Sequence, residues 1–429
     1  MQLPSDGAYT LANVRAPACL VDGFATGPAD HEDVVALDVG IDVGLEGGGR
    51  LTAPGAGARI DAGGRMAWPA PVDLHTHLDK GHIWPRARNT DGGFWTALET
   101  VAADREASWR AEDVAARMDF ALRCAWAHGT TAIRTHLDSA APQDAISWPV
   151  FAEMRARWAG RITLQAVSLA TFEDYAGPAG PALADRVAAH GGILGLVPWM
   201  CDDLDDRLER WFALAGERGL DADMHVDESL DPNDATLRHV AEAAIRTGYR
   251  GRIVCGHCCS LSVQDEATVK RTLDAVAAAG IAVVSLPMCN LYLQDRGTST
   301  PRRRGVTLLH ELRARGIPVA VASDNTRDPF YAYGDLDVHE VFREAVRIGQ
   351  LDHPFADWVR TVTATPAAVM GLADRGVLRP GAPADLVLFE GRSFSEVLSR
   401  PESRRRVLRG GLASAAELPS YRELDPLFD

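Results

Sequence analysis

The sequence predicts a (β/α)8 barrel with a small flanking β domain, and three observations predict it. Short apolar, β-branched segments recur eight times through the middle of the chain, at intervals of about 30 residues. Ala-rich stretches of helical spacing lie between them. Turn-rich segments with short alternating runs occupy both ends. Strand followed by helix, eight times over, is the pattern of a parallel barrel wrapped by helices.

Taken in order, residues 1–68 are rich in Gly, Asp and Val, alternate over 9–14 and 34–43, and carry turn signals through 47–64, so they read as small antiparallel β structure. Barrel strands are predicted at 70–77, 130–137, 162–169, 192–199, 221–226, 252–257, 281–287 and 317–324. Val114, Met118, Ala121, Leu122 and Ala125 repeat at helical spacing and predict a helix over 112–128, and another is predicted over 265–279. After the last barrel helix, GVLRPGAPADLVLF at 376–389 is a turn-rich lead into one more strand. The expected division is 1–68 and 374–429 as two parts of one β domain, the second ending in a tail, with the barrel at 69–373.

The chain has 44 Lys plus Arg against 59 Asp plus Glu, a formal net charge of −15, and a surface of that sign repels phosphate backbones and anionic lipid. Nucleic acid and membrane surfaces are therefore poor partners. No apolar run approaches the roughly 18 residues that span a bilayer, and the start, MQLPSD, has neither a basic nor an apolar leader region, so a cytoplasmic location is expected. Seven cysteines, at 19, 124, 201, 255, 258, 259 and 289, are an odd, scattered set and read as reduced thiols. Only two of the basic residues are lysines, Lys80 and Lys270, which marks each as a place where a compact ammonium matters.

Barrels carry their chemistry at the C-terminal ends of their strands. Four of the 13 histidines fall at or near such ends in a pattern that makes sense together: His75 and His77 on the first strand, His225 on the fifth and His257 on the sixth. A period of two turns His75 and His77 to one face, where two imidazoles can share a metal. The fifth strand runs on through Asp227 to Glu228, and the eighth ends at Asp324. His136, ending the second strand, is a candidate for the pocket wall; His82 reads as loop surface, and His128, His190, His239, His310, His339 and His353 as surface or packing residues. Cys255 to Cys258 has the C-x-x-C form of dithiol oxidoreductases, but a redox pair opens a helix in a thioredoxin-like unit, whereas 252–255 is strand-like. Cys258, Cys259 and Cys289 read as small buried hydrophobes. A second C-x-x-C for a zinc ribbon and the His-x-Glu signature of polynucleotide deaminases are both missing.

HTHLDK at 75–80, HVDE at 225–228, GHC at 256–258, NLYLQDRGTSTPRRRG at 290–305 and SDNTRDPF at 323–330 together resemble the amidohydrolase superfamily, and within it the bacterial cytosine deaminase branch. The flanking segments, GVLRPGAPADLVLF among them, are similar to that superfamily's β-sandwich. The resemblance implies one divalent transition metal, Zn or Fe(II), held by His75, His77, His225 and Asp324, a donor set that suits either ion. The fourth strand, GILGLVPW, has no Lys or Glu to bridge a second metal, so a mononuclear site is expected. It further implies Glu228 as proton shuttle, with His257 and Asp324 hydrogen-bonding the nucleophile. The chemistry needs these groups: a metal lowers the pKa of water from 15.7 to about 7, and the hydroxide attacks a ring carbon bearing an exocyclic amine. A carboxyl beside the metal carries protons to the ring nitrogen and then to the departing ammonia.

Departures from the family pattern fall where substrate would sit. The loop after the third strand carries a Gln in cytosine deaminases; here it reads SLATFE at 168–173, and Thr171 cannot make the same bidentate contact. Asn325 stands where the family has a second Asp. Cytosine is therefore expected to be a poor substrate. Lys80 points to a more oxygenated ring, because an ammonium pairs with a carbonyl or enolate oxygen, unless it forms a salt bridge to Asp79 or Asp91. Gln294, on the loop after the seventh strand, Trp84 and Phe330 are further pocket candidates, and Arg302, Arg303 and Arg304 read as a solvated basic turn. The expected function is metal-dependent deamination of a small cytosine-like heterocycle, such as isocytosine, an oxidised or methylated cytosine, or an amino-oxo triazine. Hydrolysis of an N-alkylamino triazine or a cyclic amide is the alternative reaction, and a non-catalytic binding protein the alternative class, against which the retained ligands and Glu228 argue. Assembly as a homo-oligomer stays open.

Overall fold

The computed structural model describes residues 2–44, 48–55, 57–400 and 404–428. Residues 47 and 56 of the turn-rich stretch, the first residue of the N-terminal β segment, and residues 401–403 and 429 of the C-terminal one lie outside them. The strands are β1 (Ala8–Pro17), β2 (Val34–Asp42), β3 (Arg50–Thr52), β4 (Ala58–Asp61), β5 (Met66–Pro69), β6 (Val72–Thr76), β7 (Ala132–Asp138), β8 (Thr163–Leu169), β9 (Leu194–Leu196), β10 (Ala222–Val226), β11 (Ile253–His257), β12 (Ala282–Ser285), β13 (Val319–Val321), β14 (Leu386–Phe389), β15 (Arg405–Arg409) and β16 (Leu412–Ala413).

β6 to β13 form two parallel sheets, β6-β7-β8 and β13-β12-β11-β10-β9, with helices between successive strands, so the fold is mixed α/β. Single parallel bridges join them at Thr76 with Asp324 and at Val167 with Ile193. Alternate residues of both sheets, among them Val72, Leu74, Val254, Val284 and Ala320, share one apolar cluster. Their neighbours Ile133, Leu164, Met224, Cys255 and Val283 join the main core with the helices. Burial on both faces is why these strands read as apolar runs without alternation. All eight are shorter than expected, the fourth and the eighth most. The fourth stops at Leu196, ahead of Pro198, and the eighth stops at Val321, after which the chain turns into a left-handed residue at Asp324 (φ 63°).

The helix predicted over 112–128 is Ala111–His128; all five of its predicted apolar positions are buried, and Gly129 ends it at φ 110°. The one predicted over 265–279 is Glu266–Ala279, capped by the Asp265 carboxylate.

The remaining eight strands make one sheet in the order β16-β15-β14-β5-β1-β2-β3, with β4 also on β1. It differs from the antiparallel expectation, because β1 pairs parallel with both β4 and β5. The chain crosses from β3 to the far side of β1, and the two strands occupy successive lengths of that edge, separated by a turn at Gly63 and Gly64 (φ 64° and 75°). The hydrogen bonds describe a single sheet whose ends approach: Leu51 N donates to Ala382 O and Ala384 N to Gly49 O, at 2.8 and 3.0 Å. β5 and β14 are buried on both faces. Ala67, Leu386 and Leu388 point into the sheet's own core, whereas Trp68, Val387 and Phe389 point into the main core. Near the C-terminus, Leu424 packs on Phe120 and Cys124 of the Ala111–His128 helix. Among the described residues, no helix is long and apolar enough to cross a membrane.

Candidate active site

The site begins with a break in β6. Val72 and Leu74 point into the apolar cluster, but the pairing of β6 with β7 slips between Asp73 and Thr76. The slip re-aims the strand end, and His75 and His77 come to lie among His136, His225 and His257, with ring centroids 3.9 to 5.5 Å apart. Asp73 fastens this strand to the end of the eighth by accepting from Ser323 N and Oγ at 3.1 and 2.5 Å. Gly256 makes room, since a Cβ there would lie 2.9 Å from His75 Cε1.

Four donor atoms converge. His225 Nε2 lies 3.2 Å from His75 Nε2 and 3.3 Å from His77 Nε2, and Asp324 Oδ1 lies 3.2 Å from His77 Nε2 and 3.5 Å from His75 Nε2. A tetrahedral ion with ligands at about 2.0–2.1 Å has edges of about 3.3–3.4 Å. The spacing fits one transition metal. Burial first, and then neighbouring imidazoles and Lys80, hold His75, His77 and His225 well below the usual imidazole range, so they are neutral donors. Burial raises Asp324 to about 7, and neither of its oxygens accepts a hydrogen bond, a demand that a cation meets.

Predicted as pocket wall, His136 joins this group: ligand atoms of His75, His77, His136 and His225 all lie within 4.8 Å of one another. Its Nε2 lies 3.3 Å from Asp223 Oδ1, and Asp223 in turn accepts from Arg134 Nη1 at 2.8 Å.

Glu228 reaches the cluster because Asp227 turns the chain. Asp227 takes φ 49°, and its carboxylate accepts from Thr236 N, Thr236 Oγ1 and Leu237 N at the start of the next helix. Glu228 Oε1 then lies 3.2 Å from His257 Nδ1 and 3.1 Å from Asn290 Nδ2. Burial, and then the Asp324 carboxylate, push Glu228 well above the usual carboxylate range against the pull of Lys80 and Asn290. Such a group takes and holds a proton. Burial pulls His257 down to about 3, so its ring is neutral.

Lys80 pairs with neither Asp79 nor Asp91. Its Nζ sits 3.6 Å from Asp138 Oδ1 and 5.1 Å from the centroid of the Phe330 ring. The reason is the turn that carries it: Arg117 Nη1 donates to the carbonyls of Asp79 and Gly81, while Asp79 accepts from Asp138 N and Ser147 Oγ. Asp91 is exposed and held by Gly93 N and Thr96 Oγ1. Burial would lower the Lys80 pKa, but Asp138, Asp328, Asp79 and Asp324 outweigh it and keep the ammonium charged.

The other predicted substrate contacts have partners within the protein. The Thr171 hydroxyl donates to Asp174 Oδ2 at 2.8 Å and closes a local turn. Asn325 Nδ2 donates to Asp328 Oδ2 at 2.7 Å, so its amide is committed within its own loop. Gln294, on the segment after the seventh strand, follows a short helix, Pro287–Leu293, as its C-cap, where Nε2 donates to Glu228 O at 3.1 Å. His82 is not surface: it is buried against Phe120 and Tyr421. Phe330 lies under Lys80 as above, Trp84 is half-buried, and Arg302 to Arg304 are exposed. Asn290, Asp138 and Asp223 were not singled out from the sequence. Asn290 had a signal, since N-x-x-x-Q places two amides on one helical face.

The protein-family model described as the amidohydrolase family matches residues 90–415. The chain belongs to the amidohydrolase family. This amidohydrolase is 52% identical over 431 residues to the pterin deaminase of Rhizobium rhizogenes strain K84, a match covering 99% of this chain and 98% of that protein. Its structure is similar to that of 5-methylcytosine deaminase from Klebsiella pneumoniae liganded with 5-fluorocytosine, at a TM-score of 0.81 and 26% identity, covering 95% of this chain and 97% of the other. N-isopropylammelide isopropylaminohydrolase from Burkholderia multivorans follows at a TM-score of 0.72 and 25% identity, covering 95% and 98%. The amidohydrolase is thus a metal-dependent hydrolytic deaminase.

Proposed function

We propose that this enzyme removes the exocyclic amine of a pterin, a fused bicyclic ring carrying the 2-amino-4-oxo pattern of isocytosine, and releases ammonia. The observation that carries this reading is the 52% identity to a pterin deaminase across essentially the whole of both chains. Identity to the N-isopropylammelide enzyme is half that, so a triazine is the less favoured ring. The converging donor set argues against a non-catalytic role. The two parallel sheets are read as one closed (β/α)8 barrel over 69–373, supported by the bridges at both sheet boundaries, with 1–68 and 374–429 as its flanking β domain. Cys124, Cys201, Cys255, Cys258, Cys259 and Cys289 are free thiols, which supports a reducing compartment, the cytoplasm.

His75, His77, His225 and Asp324 would hold a single zinc or iron(II). When bound, the metal supplies the nucleophile by lowering the pKa of water to about 7. Glu228 takes the water proton and passes it to the ring nitrogen beside the attacked carbon, which accepts the electron pair displaced by the attack. It then delivers the second proton to the amine, which leaves as ammonia, and an oxygen stands where the amine was. His257 steadies the attacking oxygen, and Lys80 pairs with the oxo oxygen of the ring.

The test is ammonia release from pterin, isocytosine, cytosine and N-isopropylammelide by metal-loaded protein. Pterin is expected to release it fastest; turnover of another ring with none from pterin would overturn the substrate. Lys80→Met should lower kcat/KM about 10- to 150-fold for rings with the oxo group, as loss of a charge-assisted hydrogen bond of about 1.5–3 kcal/mol requires. An equal loss on rings lacking that oxygen would instead assign Lys80 to packing against Asp138.

A further inference from the structure

One helix grips Glu228 from two sides. Asn290 and Gln294 are four residues apart, so both amides face the same way from Pro287–Leu293 and its C-cap. Gln294 Nε2 donates to the Glu228 backbone carbonyl at 3.1 Å. Asn290, fully buried, directs Nδ2 to Glu228 Oε1 at 3.1 Å and to His257 Nδ1 at 3.0 Å.

The chemistry of this contact is restrictive. Turning the Asn290 amide over would set its oxygen against Glu228 Oε1 whenever that oxygen carries no proton, so facing the nitrogen to Glu228 is the arrangement that serves the ionised carboxylate. An amide nitrogen can only donate here. His257 Nδ1 lies 3.0 Å from that nitrogen and 3.2 Å from Glu228 Oε1; accepting from the nearer Asn290 donor leaves the proton of the neutral ring on Nε2, a buried atom with no other partner. With Oε1 occupied by Asn290, Oε2 is the Glu228 oxygen left to carry a proton.

We propose that Asn290, braced by Gln294 on the same helix, is a positioning residue for the deamination, selecting the Nε2–H tautomer of His257 and the proton-carrying oxygen of Glu228. The inference rests on the reading of Glu228 as proton carrier. Asn290 touches neither substrate nor metal, and it acts through these two side chains.

Asn290→Leu, of similar size but without a donor, should lower kcat about 10- to 100-fold while KM changes less than about threefold and metal content stays the same. Asn290→Asp, closer in shape but an acceptor facing a carboxylate, should be worse than Leu; a purely steric role would rank them the other way. In a Glu228→Gln background, Asn290→Leu should cost less than it does alone, because the proton it directs on Glu228 is already gone and only its hold on His257 remains. Effects that multiply in full would overturn the clamp while leaving Glu228 as the carrier. A Glu228→Gln variant within tenfold of wild type would instead remove the reading on which the clamp rests. Neutron diffraction on the zinc-loaded wild-type protein tests the tautomer without any variant: deuterium on His257 Nε2 is expected, and deuterium on Nδ1 overturns the proposal.

Discussion

Glu228→Gln should lower kcat by at least about 100-fold, the scale of losing general acid–base catalysis, and should leave the metal and the fold in place. The carboxyl is buried against Asp324, and its pKa is raised, first by burial and then by that neighbour. A group so placed changes protonation readily between the attacking water and the leaving amine, and Gln keeps its shape while removing that capacity. Gln can still accept from Asn290 through its own oxygen, so the hydrogen bond that orients the side chain survives. Steady-state kinetics beside elemental analysis and a melting curve separate the outcomes. A loss of less than tenfold with metal retained would show that another group moves the protons.

The second large effect is on the metal. Asp324→Ala removes one of the four proposed ligands, and bound metal should fall from one ion per chain to less than about a tenth, with activity falling in parallel. The metal-free proteins should behave differently. Asp324 is a buried carboxylate whose oxygens accept no hydrogen bond, so without a cation it opposes folding. Metal-free Asp324→Ala should therefore melt at or above metal-free wild type, whereas the metal-loaded wild type melts above both. Two metals per chain in the wild type, or full activity with none, would contradict the single-ion site.

Much of this was legible in the chain because it rests on local pattern. The eight parallel strands show as apolar runs since both their faces are buried, and the His, Glu and Asp that converge stand at or just past their ends. Their lengths were not legible, because backbone features that composition hides, Pro198 and the left-handed turn at Asp324, cut them short. The slip in β6 is equally silent: alternation alone puts His75 and His77 on one face, but not on the face where His225 waits. The partner of Lys80 is Asp138, which comes from the next strand of the sheet, and no spacing rule reaches it. His82 looks like a loop residue until Tyr421, far along the chain, packs over it. Thr171 and Asn325 each have an aspartate three residues on, Asp174 and Asp328, and a short polar side chain bonded to such a neighbour is an ordinary turn, a partner that a reading for substrate contacts passes over. With Thr171 and Asn325 held in turns, the argument against cytosine rests on Lys80 and on the pterin deaminase relationship.

The most direct test of the account is kcat/KM for pterin beside cytosine, measured on metal-loaded protein with ammonia and the deaminated ring quantified together. The account predicts one ammonia per deaminated pterin and a kcat/KM at least about tenfold above that for cytosine, the size of one buried polar mismatch. Cytosine within threefold of pterin, or pterin left unchanged by protein that holds its metal, would contradict it.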